Sequence, residues 1–450
     1  MLRPVYSRVP AAATAQAPAL TDWSLPAPAV AMHRVTADPD EGAKSVVAFL
    51  FGVLLLVRLC LTDPIMNGFV RYSDDGGSLL EKIHPATYGM VALLVFSLLR
   101  FRFELTVGEA RIARQLLILI GVIIGLSIAL QVIGRSVSMG YLLETYICAC
   151  LIGVLMLTFT PSQRLALGQM VLCYIAVNSL LAIAEKASGQ RLLPYPYEED
   201  SFRPTALTAH PLHIGLIHAG TIVFILGARW GAMIKGGLIL LVVLGTFAAG
   251  ARTGAIIASL AAVAGLMVTP MGARSLEGRV RLKALIVIGL LAAGPILLLI
   301  ADSAGFLERF YGGYFDENAK ARVDVYKVFD WVSTNEILFG TDLIRIREMV
   351  FERLGLLIES SVVVFVFQFG LFGAILLAGT IIWTLLRAAW GREPRAFIAV
   401  GAFLATASSN DAMSGKHAYF MLMIVMLLAF RNEGRDAFGR GKTLRWENRR

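Results

Sequence analysis

Cysteine is scarce: four residues in 450, at Cys60, Cys148, Cys150 and Cys173, each inside an apolar run. Their spacing is not that of a zinc site, and no polar loop holds a pair to oxidise, which sets aside metal-thiolate and redox chemistry. Small buried apolar residues are what these positions call for. Charge is scarce as well, at 16% of residues, and confined to the gaps between apolar stretches. No glycine-rich phosphate loop or dinucleotide fingerprint occurs, so nothing points to a nucleotide substrate. The stretch 1–42 has no apolar core before the run that opens at Val46, unlike a cleaved signal. No internal repeat is visible.

What remains is oil. Hydrophobic residues make up 57% of the chain and the mean hydropathy is +0.70. Soluble domains run nearer half apolar, and long apolar runs mark membrane chains. The fold class expected is all-α, a polytopic transmembrane helical bundle of about twelve spans. The spans are expected near 46–61, 86–99, 115–133, 141–159, 165–183, 212–226, 236–247, 255–268, 284–300, 361–386, 396–407 and 418–430. Several are shorter than the ~20 residues a full crossing needs, so their ends must run into the flanks. Three parts follow: a Pro- and Ala-rich, disordered cytoplasmic tail over 1–44, a helical domain over 45–430, and a basic cytoplasmic tail over 431–450.

The net charge of +9 raises nucleic acid as a partner, but its distribution answers otherwise. Basic residues gather in alternate gaps: Arg100, Arg102, Arg111 and Arg114; Arg164; Arg229 and Lys235; Arg274, Arg279, Arg281 and Lys283; Arg387, Arg392 and Arg395; then the C-terminal tail. Positive residues stay cytoplasmic, so twelve spans put both termini inside. The other face receives 62–85, 134–140, 184–211, 250–254, 301–360 and 408–417. The stretch 301–360 is too polar to cross a bilayer and too long for a simple connector. Within it Val325, Val328, Phe329 and Val332 recur at helical spacing, as in a short amphipathic helix capping a cavity or resting on the membrane.

Three arginines fall on the face that disfavours them. Arg203 precedes the span near 212, Arg252 lies in a Gly/Ala-rich gap, and Arg322 lies in the long loop. A guanidinium at membrane depth needs an anion or water, and its planar fork fits phosphate oxygens. A phosphate or diphosphate on a lipid is one reading; interfacial anchoring or structural ion pairing is the other. Glu359 and Ser360 open the tenth span, where Glu359 is either a helix-end carboxylate favoured by the dipole or a base for a hydroxyl nucleophile. His210, His213 and His218 cluster at the sixth span. No Asp, Glu or Cys pattern supports metal there, and His210 is a candidate for substrate hydrogen bonding. His417 with Asn410 and Asp411 forms a polar patch for glycan contact. Asp324 and Asp330 read as surface carboxylates.

Taken in order, these segments resemble the O-antigen ligase and polymerase family of bacterial membrane glycosyltransferases (the Wzy/WaaL group). Arg203 with Leu207 fits its arginine-x3-leucine element. Ala251, Arg252 and Thr253 are similar to its Ser-Arg-Thr motif. Ala321–Asp324 followed by Ile337–Gly340 is similar to the stretch before its long-loop P-x-x-G region, with the proline replaced. The ligases also carry a histidine, then Asn, Ser or Gln, then nine residues and Gly-x-x-Gly-Gly. Here Glu359 and Ser360 precede Gly370, Gly373 and Ala374 at that spacing, with Glu in place of His.

The resemblance implies a GT-C-like enzyme of the bacterial inner membrane. It would transfer a glycan from undecaprenyl diphosphate to the next lipid-linked repeat unit at the periplasmic face, with no cofactor or metal. Arg203, Arg252 and Arg322 would hold the diphosphate, and Glu359 would be the base or acceptor-orienting group. Ser360, His210 and His417 would contact substrate. Loss of the ligase histidine favours a polysaccharide polymerase, for O-antigen or exopolysaccharide, over a ligase acting on lipid A core. The implied partners are membrane lipid, a flippase and a chain-length regulator. A twelve-span secondary transporter is the reading from another class.

Overall fold

Helices in this chain start where the sequence offers an acceptor for the unpaired first-turn amides. Thr106 with Glu109, and Thr160 with Gln163, form reciprocal capping boxes. Pro85, Pro161 and Pro211 occupy first positions, where proline costs no hydrogen bond. The side chains of His84 and His210 accept the amides of Ala86 and Leu212. The computed structural model describes residues 40–72, 81–101, 105–135, 139–195, 202–269, 323–390, 393–431 and 443–444, with isolated positions between 277 and 320.

In chain order the helices are α1 (Glu41–Cys60), the short α2 (Asp63–Asn67), α3 (Pro85–Arg100), α4 (Val107–Val132), α5 (Met139–Thr158) and α6 (Pro161–Ser188). Then come α7 (Pro211–Ile225), α8 (Ala232–Ala248) and α9 (Arg252–Val268). After a 3₁₀ turn (Val325–Asp330) follow α10 (Thr334–Phe339), α11 (Leu343–Leu354), α12 (Ser361–Ala389), α13 (Pro394–Ala407) and α14 (Tyr419–Ala429). The only strand pairing among the described residues joins Leu105–Thr106 to Thr443–Leu444.

Among the described residues, α1, α4, α5, α6 and α12 are long and apolar enough to cross a membrane. Six further apolar helices are shorter, as the short hydrophobic runs require. α14 is apolar all round and buried at every position, the mark of a central helix. α7 is buried along nearly its whole length, packed on α9 and α13. Gly215 of α7 and Gly254 of α9 touch: a Cβ on Gly254 would lie 2.5 Å from the Gly215 Cα. Small residues allow this approach, and between membrane helices packing is the main source of attraction. The outer helices turn Phe49, Val53, Ile118, Ile128 and Trp383 outward. A solvated surface rarely carries so much apolar area, and hydrocarbon accepts it.

The structure moves several expected boundaries. α1 begins at Glu41, inside what reads from the sequence as a tail ending at residue 44, because Glu41 suits the first turn of a helix. The span expected over 284–300, most of the 1–44 tail and nearly all of the basic tail lie outside the described residues. Cys173 is exposed rather than buried, on the outer face of α6. The amphipathic stretch near Val325 is a 3₁₀ turn whose Val325 and Val328 pack with Ile346, Val350, Val363 and Phe367. It therefore lies on α11 and on the start of α12.

α12 is not continuous. Gly370 interrupts α12 at φ 72° and ψ 164°, a conformation open essentially to glycine alone. The freed Phe367 carbonyl accepts the Thr341 amide at 2.6 Å, so the turn after α10 completes the interrupted helix.

Candidate functional site

One end of the bundle collects the polar residues that the helix interiors exclude. It is built from the C-terminal ends of α1 and α6, the starts of α3, α5, α7, α9, α12 and α14, and the turn after α13. Glu185, in the last turn of α6, organises the first part. Its carboxylate accepts the amides of Thr205 and Ala206, both at 2.8 Å, and that of Leu192 at 2.7 Å. Asn178 accepts the Leu207 amide at 2.9 Å. Ala206 is held at φ 45° by these contacts, the one positive value at a non-glycine residue among those described.

The irregular segment that Glu185 holds also carries Arg203. Ala206 packs with Ala182, Ile214 and Ala249, which brings the Arg203 segment, the start of α7 and the turn before Arg252 to one place. Arg203 and Arg252 are both half-buried there, with Arg252 the first residue of α9. Beside them lies Arg191. Its guanidinium stands 4.2 Å from the Tyr195 ring centre and 5.0 Å from that of Phe202, and its Nε donates to the Arg203 carbonyl at 3.1 Å. A cation stacked between rings is held in one orientation.

A row of rings continues from Tyr195. His210 lies 5.9 Å from it, His213 5.6 Å from His210, and His417 4.4 Å from His213; Tyr419 closes the row against both His213 and His417. Two carboxylates flank the histidines: Asp63 Oδ2 is 3.3 Å from His417 Nδ1, and Asp411 Oδ1 is 3.7 Å from His213 Nε2. Burial pushes the Asp63 carboxyl up to about 6, although Arg58 and His213 oppose the shift. Burial acts on Asp411 in the same direction, but the nearby His213 and His417 outweigh it and hold Asp411 low. Burial, then the neighbouring His213, keeps His417 well below the ordinary imidazole value. Among the described residues no group of three or more His, Cys, Asp or Glu has an arrangement that would hold a metal ion.

Beneath the row sits a buried ion pair. Arg58 Nε meets Glu144 at 2.8 Å with both side chains almost fully enclosed. Glu144 also accepts from Thr87 at 2.8 Å and from the His84 amide at 3.2 Å. It sits in a π-helical stretch, Leu142–Ile147, a local widening common at functional sites. Arg58 also donates to the Lys416 carbonyl at 3.1 Å, tying the pair to the turn that carries Asp411 and His417. A cavity lined by Arg58, Thr62, Asp63, Tyr174, His417 and Tyr419 opens beside it.

The start of α12 is fastened to the same turn. The Asn410 carbonyl accepts the Ser361 amide at 3.2 Å and its hydroxyl at 3.0 Å, and the Ser361 Oγ accepts the Met413 amide at 3.1 Å. Glu359, half-buried, therefore lies at this end too. Ser360 accepts the Val363 amide as a helix cap and meets the Tyr326 hydroxyl at 3.3 Å.

Of the positions expected from sequence, Arg203, Arg252, His210, His417, Glu359 and Ser360 share one end of the bundle, and Arg322 lies outside the described residues. His210 and Ser360 serve as helix caps. Sequence reasoning passed over Arg58, Asp63, Glu144 and Arg191, and weighed His213 only as a metal ligand. A signal was present for two of them: charge is not wholly confined to the gaps, since Arg58 and Glu144 lie inside the apolar runs 46–61 and 141–159, which marks a functional position by default. Neither the family models nor the curated proteins compared with this chain match it.

Proposed function

We propose that this chain is a membrane glycosyltransferase that polymerises oligosaccharide repeat units carried on undecaprenyl diphosphate, at the periplasmic face of a bacterial inner membrane. The observation that carries the reading is the meeting of the Arg203 segment and the Arg252 turn, through Ala206, Ile214 and Ala249, beside a row of histidines and carboxylates. Two guanidinium groups at one helix end suit the two phosphates of a polyprenyl carrier, whose tail would lie in the bilayer. Arg191, stacked on its rings, adds a third positive charge nearby.

The chemistry asked of such a site is modest. The diphosphate is already a leaving group, so the protein need only meet its developing charge and direct a sugar hydroxyl at the anomeric carbon. Glu359, on the short segment leading into α12, is placed to orient the acceptor. The segment from Val325 to Leu354, packed over α12, would shield the site from water. The topology that goes with this reading is twelve spans with both termini cytoplasmic, assisted by a flippase and a chain-length regulator. A ligase would use the same donor with a different acceptor.

Two observations favour a second reading, a secondary transporter: the enclosed Arg58–Glu144 pair and the interrupted α12 are both features of coupled transport. Deleting the gene and analysing the lipid-linked pool separates the two. Polymerase loss leaves single repeat units on the carrier. Single units attached to lipid A core, without polymer, would also speak against the ligase. Normal glycan with altered uptake of a small solute would remove the glycosyltransferase reading.

A further inference from the structure

His213 is only 2% exposed, and neither ring nitrogen makes a hydrogen bond within the protein. An enclosed polar group left so is destabilising, and a site retains one when something else is to meet it. Asp411 lies 3.7 Å from Nε2, beyond a hydrogen bond but close enough for one to form on a small movement. The Asp411 side chain is 47% exposed, so this carboxylate faces both the ring and the opening of the site.

We infer that His213, oriented by Asp411, takes the proton from the sugar hydroxyl that attacks the lipid-linked donor. The inference rests on the glycan-transfer reading above and names the group that performs its proton step. With Nε2–H directed at Asp411, the Nδ1 lone pair is the free base, the division of labour a histidine–carboxylate pair imposes. The hydroxyl proton passes to Nδ1 while the hydroxyl oxygen bonds to the anomeric carbon. The bond from that carbon to the phosphate oxygen breaks, and its electron pair leaves on the polyprenyl diphosphate, opposite the guanidinium groups of Arg203 and Arg252. The imidazolium then gives its Nδ1 proton to water once product has left, and Nε2–H stays directed at Asp411, which restores the starting base.

The surroundings fit that role. From α7 itself His210 faces the ring; from the turn after α13 come Asp411 and His417; from α14 comes Tyr419. From α1 and α2 come Arg58 and Asp63, with Glu144 of α5 behind them. Asp63 on His417 forms a second carboxylate–imidazole pair, 4.4 Å ring to ring from the first. His213 therefore sits among charges of both signs, and Asp411 is the carboxylate nearest to it.

The test uses the full chain, purified and placed in vesicles of phosphatidylethanolamine and phosphatidylglycerol. Its substrate is the lipid-linked oligosaccharide pool extracted from source cells lacking the gene. Polymer formation is followed from about pH 5 to 9, across the range where histidine titrates. His213→Gln is expected to lower the rate at saturating substrate about 100-fold, with KM unchanged and the acid limb of the profile lost. Asp411→Asn, a partly exposed change that spares the core, is expected to lower it about tenfold and to move that limb. If His213→Gln does not fold, Asp411→Asn decides. Wild-type rates and pH profile in both His213→Gln and Asp411→Asn overturn the inference, and with Arg252→Ala inactive the parent reading stands. A collapse confined to Glu359→Gln transfers the role to Glu359. If the wild-type protein leaves the pool unchanged, the parent reading fails and takes the inference with it.

Discussion

Gly340 and Gly370 meet with no space for a side chain on either: a Cβ on Gly340 would lie 2.8 Å from the amide nitrogen of Gly370. Both residues have positive φ, at 81° and 72°, with extended ψ. Gly340 ends α10 and Gly370 interrupts α12, so the segment over the site is keyed into the helix at the point where the helix gives way.

Gly370→Ala and Gly340→Ala should each destabilise the protein by about 1–3 kcal/mol through backbone strain, before any clash is counted. The segment over α12 should then open and α11 fray, so that trypsin cleaves faster after Arg345 and Arg347, whose side chains are already exposed but whose backbone is held in the helix. Thermal unfolding and the rate of limited proteolysis measure both effects. An unchanged cleavage rate in both variants would show that the turn is not keyed into α12.

Arg252→Ala and Arg252→Lys should both abolish polymer, by about 100-fold or more, while the protein still inserts and purifies normally. Lysine keeps the charge but loses the planar fork that grips two phosphate oxygens together. Complementation of a deletion strain, with polymer scored on a gel, tests this. Full activity in the lysine variant would mean that Arg252 supplies charge without bidentate binding.

Glu144→Ala leaves Arg58 enclosed without its carboxylate and should cost about 3–5 kcal/mol. Replacing both residues by leucine should recover most of that loss, since two well-packed apolar side chains avoid the desolvation that the ion pair must offset. Unfolding temperatures in one detergent compare the three proteins. A double variant less stable than Glu144→Ala would show that the pair contributes more than it costs.

Asp63 gives a pH dependence of definite sign. Its folded-state pKa, about 6, lies above the unfolded value, so folding takes up a proton between about pH 4 and 6. Stability from this group is fully present below the unfolded pKa and is lost as pH rises through the folded one. Asp63→Asn, which cannot titrate, should therefore gain on the wild type between about pH 4 and 7, by about 2–3 kcal/mol, since the folded and unfolded values lie about two pH units apart. Unfolding temperatures of both proteins across that interval check it. A gap that narrows with rising pH contradicts the assignment.

Composition and hydropathy were enough to read an apolar helical chain, and α7, α9, α13 and α14 fall close to where their apolar runs put them, because hydrocarbon demands both apolar side chains and internally bonded backbone. Capping residues such as Thr106, Thr160 and Pro211 fix the starts locally. Arg203 and Arg252 could be singled out from sequence because an arginine is conspicuous on a face that disfavours it. Arg58 and Glu144 were less visible, since each looks like an isolated charge until the fold pairs them at 2.8 Å across 86 residues of chain.

Residue order alone settles that this chain is helical and apolar, since those properties depend on each segment's own side chains and backbone bonds. Only the three-dimensional packing brings Asp63, His213 and the turn holding Asp411 and His417 from three distant stretches into one row, and only it inserts the turn after Phe339 into the interruption at Gly370. Such meetings depend on how helices far apart in the chain lie against one another, which no local pattern of residues encodes.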